Sequence, residues 1–123
     1  MEFNETKAIY LQIADRLCDQ ILAGEYEEMQ RVPSVREVAA QLEVNPNTVV
    51  RSFDFLQNNK IIFNKRGMGY FVVEGASDVI RAMRKQIFMD NTLPQLFAEM
   101  NKIGITIEDI DNQYNNFLNN KGE

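Results

Sequence analysis

Residues 33–59 read PSVREVAAQLEVNPNTVVRSFDFLQNN, and the starts of two helices can be recognised in them. Ser34 and Glu37 have the spacing of a capping box, in which each side chain accepts a hydrogen bond from the backbone N–H of the other residue. Asn45 is a good N-cap, and Pro46 fits a first helical turn because its missing N–H would have no partner there. Two short helices joined by so brief a turn cross steeply, which predicts a helix-turn-helix.

The second of these helices, residues 46–59, has two different faces. With residues placed about 100° apart, Val49, Phe53 and Leu56 form a buried stripe. The opposite face carries Asn47, Arg51 and Asp54. In the major groove, asparagine can pair with adenine, and arginine can pair with guanine or bind phosphate. The alternative is a solvated face on which Asn47 and Thr48 only assist the cap, and an isolated amphipathic helix would favour that alternative.

Length and composition limit the class of protein. A chain of 123 residues with 45% hydrophobic residues is typical of one modest globular domain with an appendage. No apolar run approaches the roughly 20 residues that span a bilayer, and the start MEFNETKAIY lacks the pattern of a signal peptide. We therefore expect a cytoplasmic protein without a membrane partner.

Histidine is absent from the sequence, and Cys18 is its only cysteine. The chain therefore lacks imidazole and thiolate ligands for a transition metal, and it also lacks the commonest general base. Gly67 and Gly69 do not match the spacing of a nucleotide-binding loop. The sequence predicts a protein that is not an enzyme and holds no cofactor.

The charge of the chain is unevenly distributed. The net charge of −5 would be unusual for a DNA-binding protein, but residues 31–73 carry six basic and three acidic side chains, a local charge of +3. Residues 1–30 contribute −5 and residues 74–123 contribute −3. Positive charge is thus concentrated around the helix-turn-helix, as an electrostatic contact with DNA requires.

Further elements flank the helix-turn-helix. Residues 7–22 predict an opening helix, a very short strand is expected at residues 31–32, and residues 60–73 predict a β-hairpin around a glycine-containing turn. Lys65 and Arg66 would lie at the hairpin tip, where neighbouring glycines allow a close approach to phosphate or the minor groove. The alternative is an ordinary surface hairpin with solvated charges.

The segments IYLQIADRLCDQILAGEY, RVPSVREVAAQLEVNPNTVVRSFDFLQ and RGMGYFV together resemble the N-terminal domain of GntR-type transcriptional regulators. The resemblance covers residues 7–73 and implies a winged helix-turn-helix domain, bounded here as 7–75, with a recognition helix (46–59) and a basic wing (65–69). Many members have arginine where this chain has Val50, and Met68 replaces a residue that is often polar or basic. The DNA-binding residues that the resemblance implies are Arg36, Asn45, Asn47, Thr48, Lys65, Arg66 and Gly67, and the outward position of Arg51 on the recognition helix adds Arg51 to this set.

Residues 77–123 predict a short helical tail. Helices are expected at 78–88 and 95–103, with a kink or break near Asp90–Pro94, and Thr106 with Asp109 resembles a capping box for a last helix. The short tail resembles that of the YtrA subfamily, which implies a dimeric repressor. The side chains expected to form the dimer are Ile80, Met83, Ile87, Leu96, Phe97, Met100, Ile110, Tyr114, Phe117 and Leu118. The alternative is that the tail folds back on its own first helix and the protein is a monomer.

Together these features predict a mainly α protein with a small β-hairpin wing and a helical dimerisation or effector tail. Its expected partners are an inverted-repeat operator in double-stranded DNA and a second copy of the chain, while a small-molecule effector is left open. A winged helix that docks on another protein without touching DNA is the alternative. An enzyme is the weakest hypothesis.

Overall fold

The structure, a computed structural model, describes residues 7–121, so the last two residues of the predicted tail lie outside it. The described chain is mainly helical with one small antiparallel hairpin, which confirms the predicted fold class. The first elements are α1 (Ile9–Leu22), α2 (Val35–Leu42), α3 (Pro46–Asn58), β1 (Ile62–Lys65) and β2 (Gly69–Val72). They are followed by α4 (Ala76–Ile87), a π-helical segment (Phe88–Thr92), α5 (Leu93–Ile103) and α6 (Ile107–Lys121).

Local hydrogen bonds define the two helices of the helix-turn-helix. The backbone N–H of Ser34 donates to the Glu37 carboxylate, and the N–H of Glu37 donates to the Ser34 hydroxyl, both at 3.1 Å. The C-cap of α2 is Glu43, whose backbone is left-handed with φ 55° and ψ 47°. The N-cap of α3 is Asn45, and Val44 between them packs against the core. The capping box and the short turn are therefore confirmed.

Helix α3, the predicted recognition helix, is anchored on the hydrophobic core by the stripe that the sequence predicts. Val49, Phe53 and Leu56 are almost completely buried. The helix packs against α1, α2 and β1. Phe53 also meets Tyr70 of β2 edge to face, with ring centroids 4.8 Å apart. These contacts tie the recognition helix and the hairpin into one body.

The hairpin pairs in a regular antiparallel register that runs from Ile62 opposite Val72 to Lys65 opposite Gly69. The short strand expected at residues 31–32 is reduced to a single bridge between Arg31 and Phe71. Residues 29–32 also form backbone hydrogen bonds with Tyr70 and Val72, so Arg31 lies along the side of β2 close to Gly69 at the tip of the wing.

The described chain divides between Met83 and Arg84 into two compact units. The start of α4 belongs to the first unit, because Ala76 and Ile80 are fully buried in its core and Met83 packs against the same core. The assignment of Ile80 to a dimer interface is therefore wrong. An isoleucine that is 0% exposed in its own core has no surface left for a partner.

Where the sequence predicts a kink or break, the second unit continues as a helix with a π-helical segment at Phe88–Thr92. The N–H of Leu93 donates to the carbonyl of Phe88, five residues earlier, which is the hydrogen bond of a π-helical turn. Leu93 has helical angles, and Pro94 follows at the start of α5. A widened turn accommodates a proline because it relieves the crowding and the missing donor of a normal α-helical turn.

The last helix begins at the predicted capping box. The N–H of Thr106 donates to the Asp109 carboxylate at 3.0 Å, and the N–H of Asp109 donates to the Thr106 hydroxyl at 3.1 Å. Met100 is only 5% exposed, so it also drops out of the predicted dimer surface. Among residues 7–121 no helix has the length and apolar character needed to cross a membrane.

Candidate nucleic-acid interface

The first turn of α3 presents polar side chains to solvent. Asn45 and Asn47 are exposed, and Thr48 is half-buried. The side-chain oxygen of Asn45 accepts a hydrogen bond from the Asn47 backbone N–H at 2.8 Å, so Asn45 caps the helix. Its amide group retains two donors, and the Asn47 side chain makes no hydrogen bond with any described residue. Both amides can therefore bind groups outside the chain.

Arg36 lies in the first turn of α2 and is exposed. No hydrogen bond or ion pair with any residue in the range 7–121 holds its guanidinium. The adjacent Glu37 carboxylate is occupied by the Ser34 N–H, which keeps that acidic group in the helix cap. Among the described residues Arg36 is thus an unpaired cation on the first helix of the helix-turn-helix, suited to a phosphate.

The electrostatics of the cap favour the ionised form of Glu37. The hydrogen bond from the Ser34 backbone N–H lowers the pKa of the Glu37 carboxyl below its ordinary value of 4.5, and the Ser34 hydroxyl and the nearby charge of Arg31 act in the same direction. Slight desolvation opposes this lowering of the pKa. A carboxylate at a helix N-terminus also interacts favourably with the helix dipole.

Arg51 projects from the solvent side of α3, as predicted, but it does not extend freely. Its Cζ atom lies over the ring of Tyr10 in α1, 4.1 Å from the ring centroid. The next residue, Ser52, is buried, and its hydroxyl donates to the Tyr10 carbonyl at 2.7 Å. The first turn of α1 thus forms part of the surroundings of the recognition helix.

The tip of the wing, residues 65–69, is a tight basic turn. The N–H of Met68 donates to the carbonyl of Lys65 at 2.8 Å, and the turn uses positive φ at both Gly67 and Gly69. Lys65 and Arg66 are exposed, and the Lys65 Nζ atom lies 5.7 Å from the centre of the Phe71 ring. Two cations are therefore held at the end of the hairpin without a carboxylate partner among the described residues.

Arg31 adds a third cation to the wing, and it was not among the predicted DNA-binding residues. Its Nε atom lies 2.9 Å from the position that a Cβ atom would occupy at Gly69. Gly69 pairs with Lys65, and the residues of such a pair project from the same face of the hairpin. The guanidinium of Arg31 therefore shares a face with Lys65. In the sequence, only the place of Arg31 within the basic segment 31–73 indicated a role in DNA binding.

All eight predicted DNA-binding residues lie at the surface of the first unit, and only Thr48 is half-buried. They come from α2, the N-terminal half of α3 and the tip of the wing. No hydrogen bond or ion pair between described residues joins the wing tip to α3. The three groups are therefore separate contact points held by a common core.

The comparison with known sequences decides the family. Residues 9–72, from the start of α1 to the end of the hairpin, match the family described as bacterial regulatory proteins, gntR family. The chain belongs to the GntR family. GntR proteins of this kind are DNA-binding regulators of transcription and not enzymes, so both of these predictions are confirmed.

Relatives of similar length support the family over most of the chain. The HTH-type transcriptional regulator YhcF of Bacillus subtilis is 32% identical over 109 residues, covering 89% of this chain and 88% of YhcF. The HTH-type transcriptional repressor YtrA of the same organism is 31% identical over 100 residues, covering 81% of this chain and 76% of YtrA. The predicted resemblance to YtrA is confirmed.

Solved structures of family members have the same fold. A GntR-family protein from Bacteroides thetaiotaomicron is 46% identical and superposes with a TM-score of 0.82, covering 93% of this chain and 99% of that chain. A GntR-family transcriptional regulator from Listeria monocytogenes is 32% identical with a TM-score of 0.73, covering 93% of this chain and 98% of that chain.

Proposed function

We propose that this GntR-family regulator is a dimeric repressor that binds an inverted-repeat operator. The observation that carries the proposal is the exposed polar N-terminal half of α3, held in place by a fully buried stripe. In this arrangement α3 lies in the major groove, where Asn47 and Arg51 face base edges. Arg36 neutralises a phosphate beside it.

The wing contributes affinity more than sequence discrimination. Lys65 and Arg66 at the tip are long cations without acidic partners in the described chain, and cations of this kind bind the DNA backbone or the minor groove. Gly67 allows the tight turn to approach the groove wall closely. The acidic remainder of the chain weakens non-specific binding, so specificity rests on the contacts of α3.

Repression is proposed from the relation to YtrA, whose name describes a repressor. A dimer bound across a promoter excludes other proteins from the same DNA. Because its proposed target is double-stranded DNA, we place the protein in the cytoplasm.

Dimerisation is proposed for the region 77–123, which also remains the candidate effector region. The second unit, which makes up most of this region, exposes many large apolar side chains, an arrangement that marks an interaction surface. The predicted dimer residues that are exposed are Ile87, Leu96, Phe97, Tyr114, Phe117 and Leu118. A twofold partner covers such a surface in both copies and sets two recognition helices at a defined spacing.

Selection from random DNA duplexes tests the proposal. The full chain should enrich an inverted repeat whose half-sites are separated by about one helical turn, or 10 base pairs. Arg51→Ala should weaken binding to the enriched duplex by about 1–3 kcal/mol if the side chain contacts a base. The matched control Lys102→Ala removes one positive charge from α5 and should bind normally. Failure to enrich any sequence would contradict DNA binding and favour a docking role.

A further inference from the structure

Ser52 fixes α3 against the first turn of α1. Its hydroxyl is fully buried, donates to the Tyr10 carbonyl at 2.7 Å and lies 3.2 Å from the Thr48 carbonyl. A buried hydroxyl that lost these partners would be left unpaired at a cost in free energy, so the two helices are held in register. The backbone of Tyr10 is therefore fixed next to position 51 of the recognition helix.

The Tyr10 ring restrains Arg51 without using its hydrogen-bond donors. A cation within about 6 Å of a ring centroid is attracted to the ring face, and here the distance is 4.1 Å. The face of the Tyr10 ring has no oxygen atom that could accept a hydrogen bond. Within residues 7–121 the Arg51 guanidinium makes no hydrogen bond or ion pair. The five N–H donors of the guanidinium therefore remain available to a base or a phosphate.

We propose that Tyr10 is a positioning residue that orders Arg51 for DNA binding, an inference that rests on the proposed function. A free arginine side chain populates many rotamers, and selecting one of them on binding costs entropy. The ring restricts Arg51 before DNA arrives, so less of this cost remains at the moment of binding. Tyr10 thus increases operator affinity through Arg51, without contacting the DNA itself.

A double-mutant cycle on the duplex enriched by selection tests this role in the full chain. Tyr10→Leu, which keeps apolar bulk but removes the ring, should weaken binding about three- to tenfold. Tyr10→Phe keeps the ring and should bind within about twofold of the wild type. In an Arg51→Met background, Tyr10→Leu should have no further effect, because the residue that it positions is gone.

Two outcomes of the cycle would overturn the inference. If Tyr10→Leu lowered the affinity for DNA equally in the wild-type and Arg51→Met backgrounds, Tyr10 would only support the fold. Tighter binding of Tyr10→Leu would show that the ring withholds Arg51 from DNA. The melting temperature of each variant is measured as well. Weaker binding that results from partial unfolding can then be distinguished from weaker binding that results from a disordered Arg51 side chain.

NMR of the free wild-type protein gives a readout that does not depend on DNA or on the folding of a variant. The Arg51 side-chain protons should show upfield ring-current shifts, and normal shifts would overturn the inference. If the Arg51 protons were shifted but the wild-type protein enriched no duplex, the proposed function would be refuted instead. A wild type that binds DNA with no coupling in the cycle would refute only the role of Tyr10.

Discussion

Two glycines of the wing tip differ in their surroundings, although both have positive φ. Nothing lies within 4 Å of the position of a Cβ atom at Gly67, where φ is +78°. At Gly69, where φ is +105°, the same position is 2.9 Å from the Arg31 Nε atom. Gly67 is therefore needed for its backbone alone, whereas Gly69 also makes room for a side chain.

We expect Gly69→Ala to lower the free energy of unfolding by about 1–3 kcal/mol, the cost of strained backbone, and to displace Arg31. Gly67→Ala is the matched control with backbone strain but no clash. In an Arg31→Ala background the penalty of Gly69→Ala should shrink by about 0.5 kcal/mol or more. Urea unfolding measures the free energy of unfolding of each variant. If the effects of Gly69→Ala and Arg31→Ala were strictly additive, the contact between these two positions would be contradicted.

The lowered pKa of Glu37 links the capping box to pH. Because the carboxyl pKa is lower in the folded state than the ordinary 4.5, its ionised form stabilises the fold fully above about pH 4.5. This contribution is lost as the pH falls through the folded-state pKa. Glu37→Gln retains a side chain that can accept the Ser34 N–H but does not titrate.

Wild type should therefore be more stable than Glu37→Gln at pH 7, and the difference should narrow on acidification to pH 3.5. Thermal melts at both values measure the change. Glu74→Gln, which removes a negative charge outside the capping box, controls for the loss of net charge. A difference in stability that stays constant with pH would exclude this role of the carboxylate.

At the scale of the element, the wing and the recognition helix should make different kinds of contact. The wing tip holds Lys65 and Arg66 on a turn, where no neighbouring helix fixes their approach to a base. Cations presented in this way bind backbone phosphates, and each lost phosphate contact reduces the salt dependence of binding. The recognition helix instead presents amides and a restrained guanidinium.

Replacing both Lys65 and Arg66 by alanine should weaken binding to all duplexes alike. The slope of log K against log salt should become shallower by about one unit for each lost contact. The double variant Lys102→Ala, Lys121→Ala removes the same charge from α5 and α6 as a control. A loss confined to one base-pair position, with an unchanged slope, would assign the wing to base recognition.

At the scale of the whole molecule, the two compact units differ in how completely they bury their large apolar side chains. The first unit contains a complete core that extends from Ile13 to Ile80. The second unit exposes large apolar side chains, including Phe117, which is 59% exposed. Because Ile80 belongs to the first core, a truncation that tests the role of the tail has to follow Met83.

We expect the full chain to sediment as a dimer and a chain ending at Met83 to sediment as a folded monomer. The truncated chain should bind the enriched operator much more weakly, since a single half-site contact replaces two. Phe117→Glu should give the same result in the full-length chain, while Asn112→Glu, also on α6, should remain dimeric. A full chain that is monomeric at micromolar concentration would contradict the proposed dimer.

Local chemistry in the sequence determined where most helices of this protein start and end. The capping boxes at Ser34 and Thr106 join residues only three positions apart, so their hydrogen bonds need no tertiary partner. The same locality made the helix-turn-helix, the stripe on α3 and the exposed position of Arg51 predictable. At Pro94 the sequence predicted a local irregularity, a kink or break, but it did not determine that the irregularity is a π-helical turn.

Only the tertiary structure decided which side chains meet across the chain. Arg51 and Tyr10 are distant in sequence, and so are Arg31 and Gly69, and no periodicity encodes either contact. The apolar pattern of α4 likewise could not show whether Ile80 faces its own core or a partner. The physical reason is that burial is not directional: an apolar side chain packs against whichever surface the complete fold brings to it.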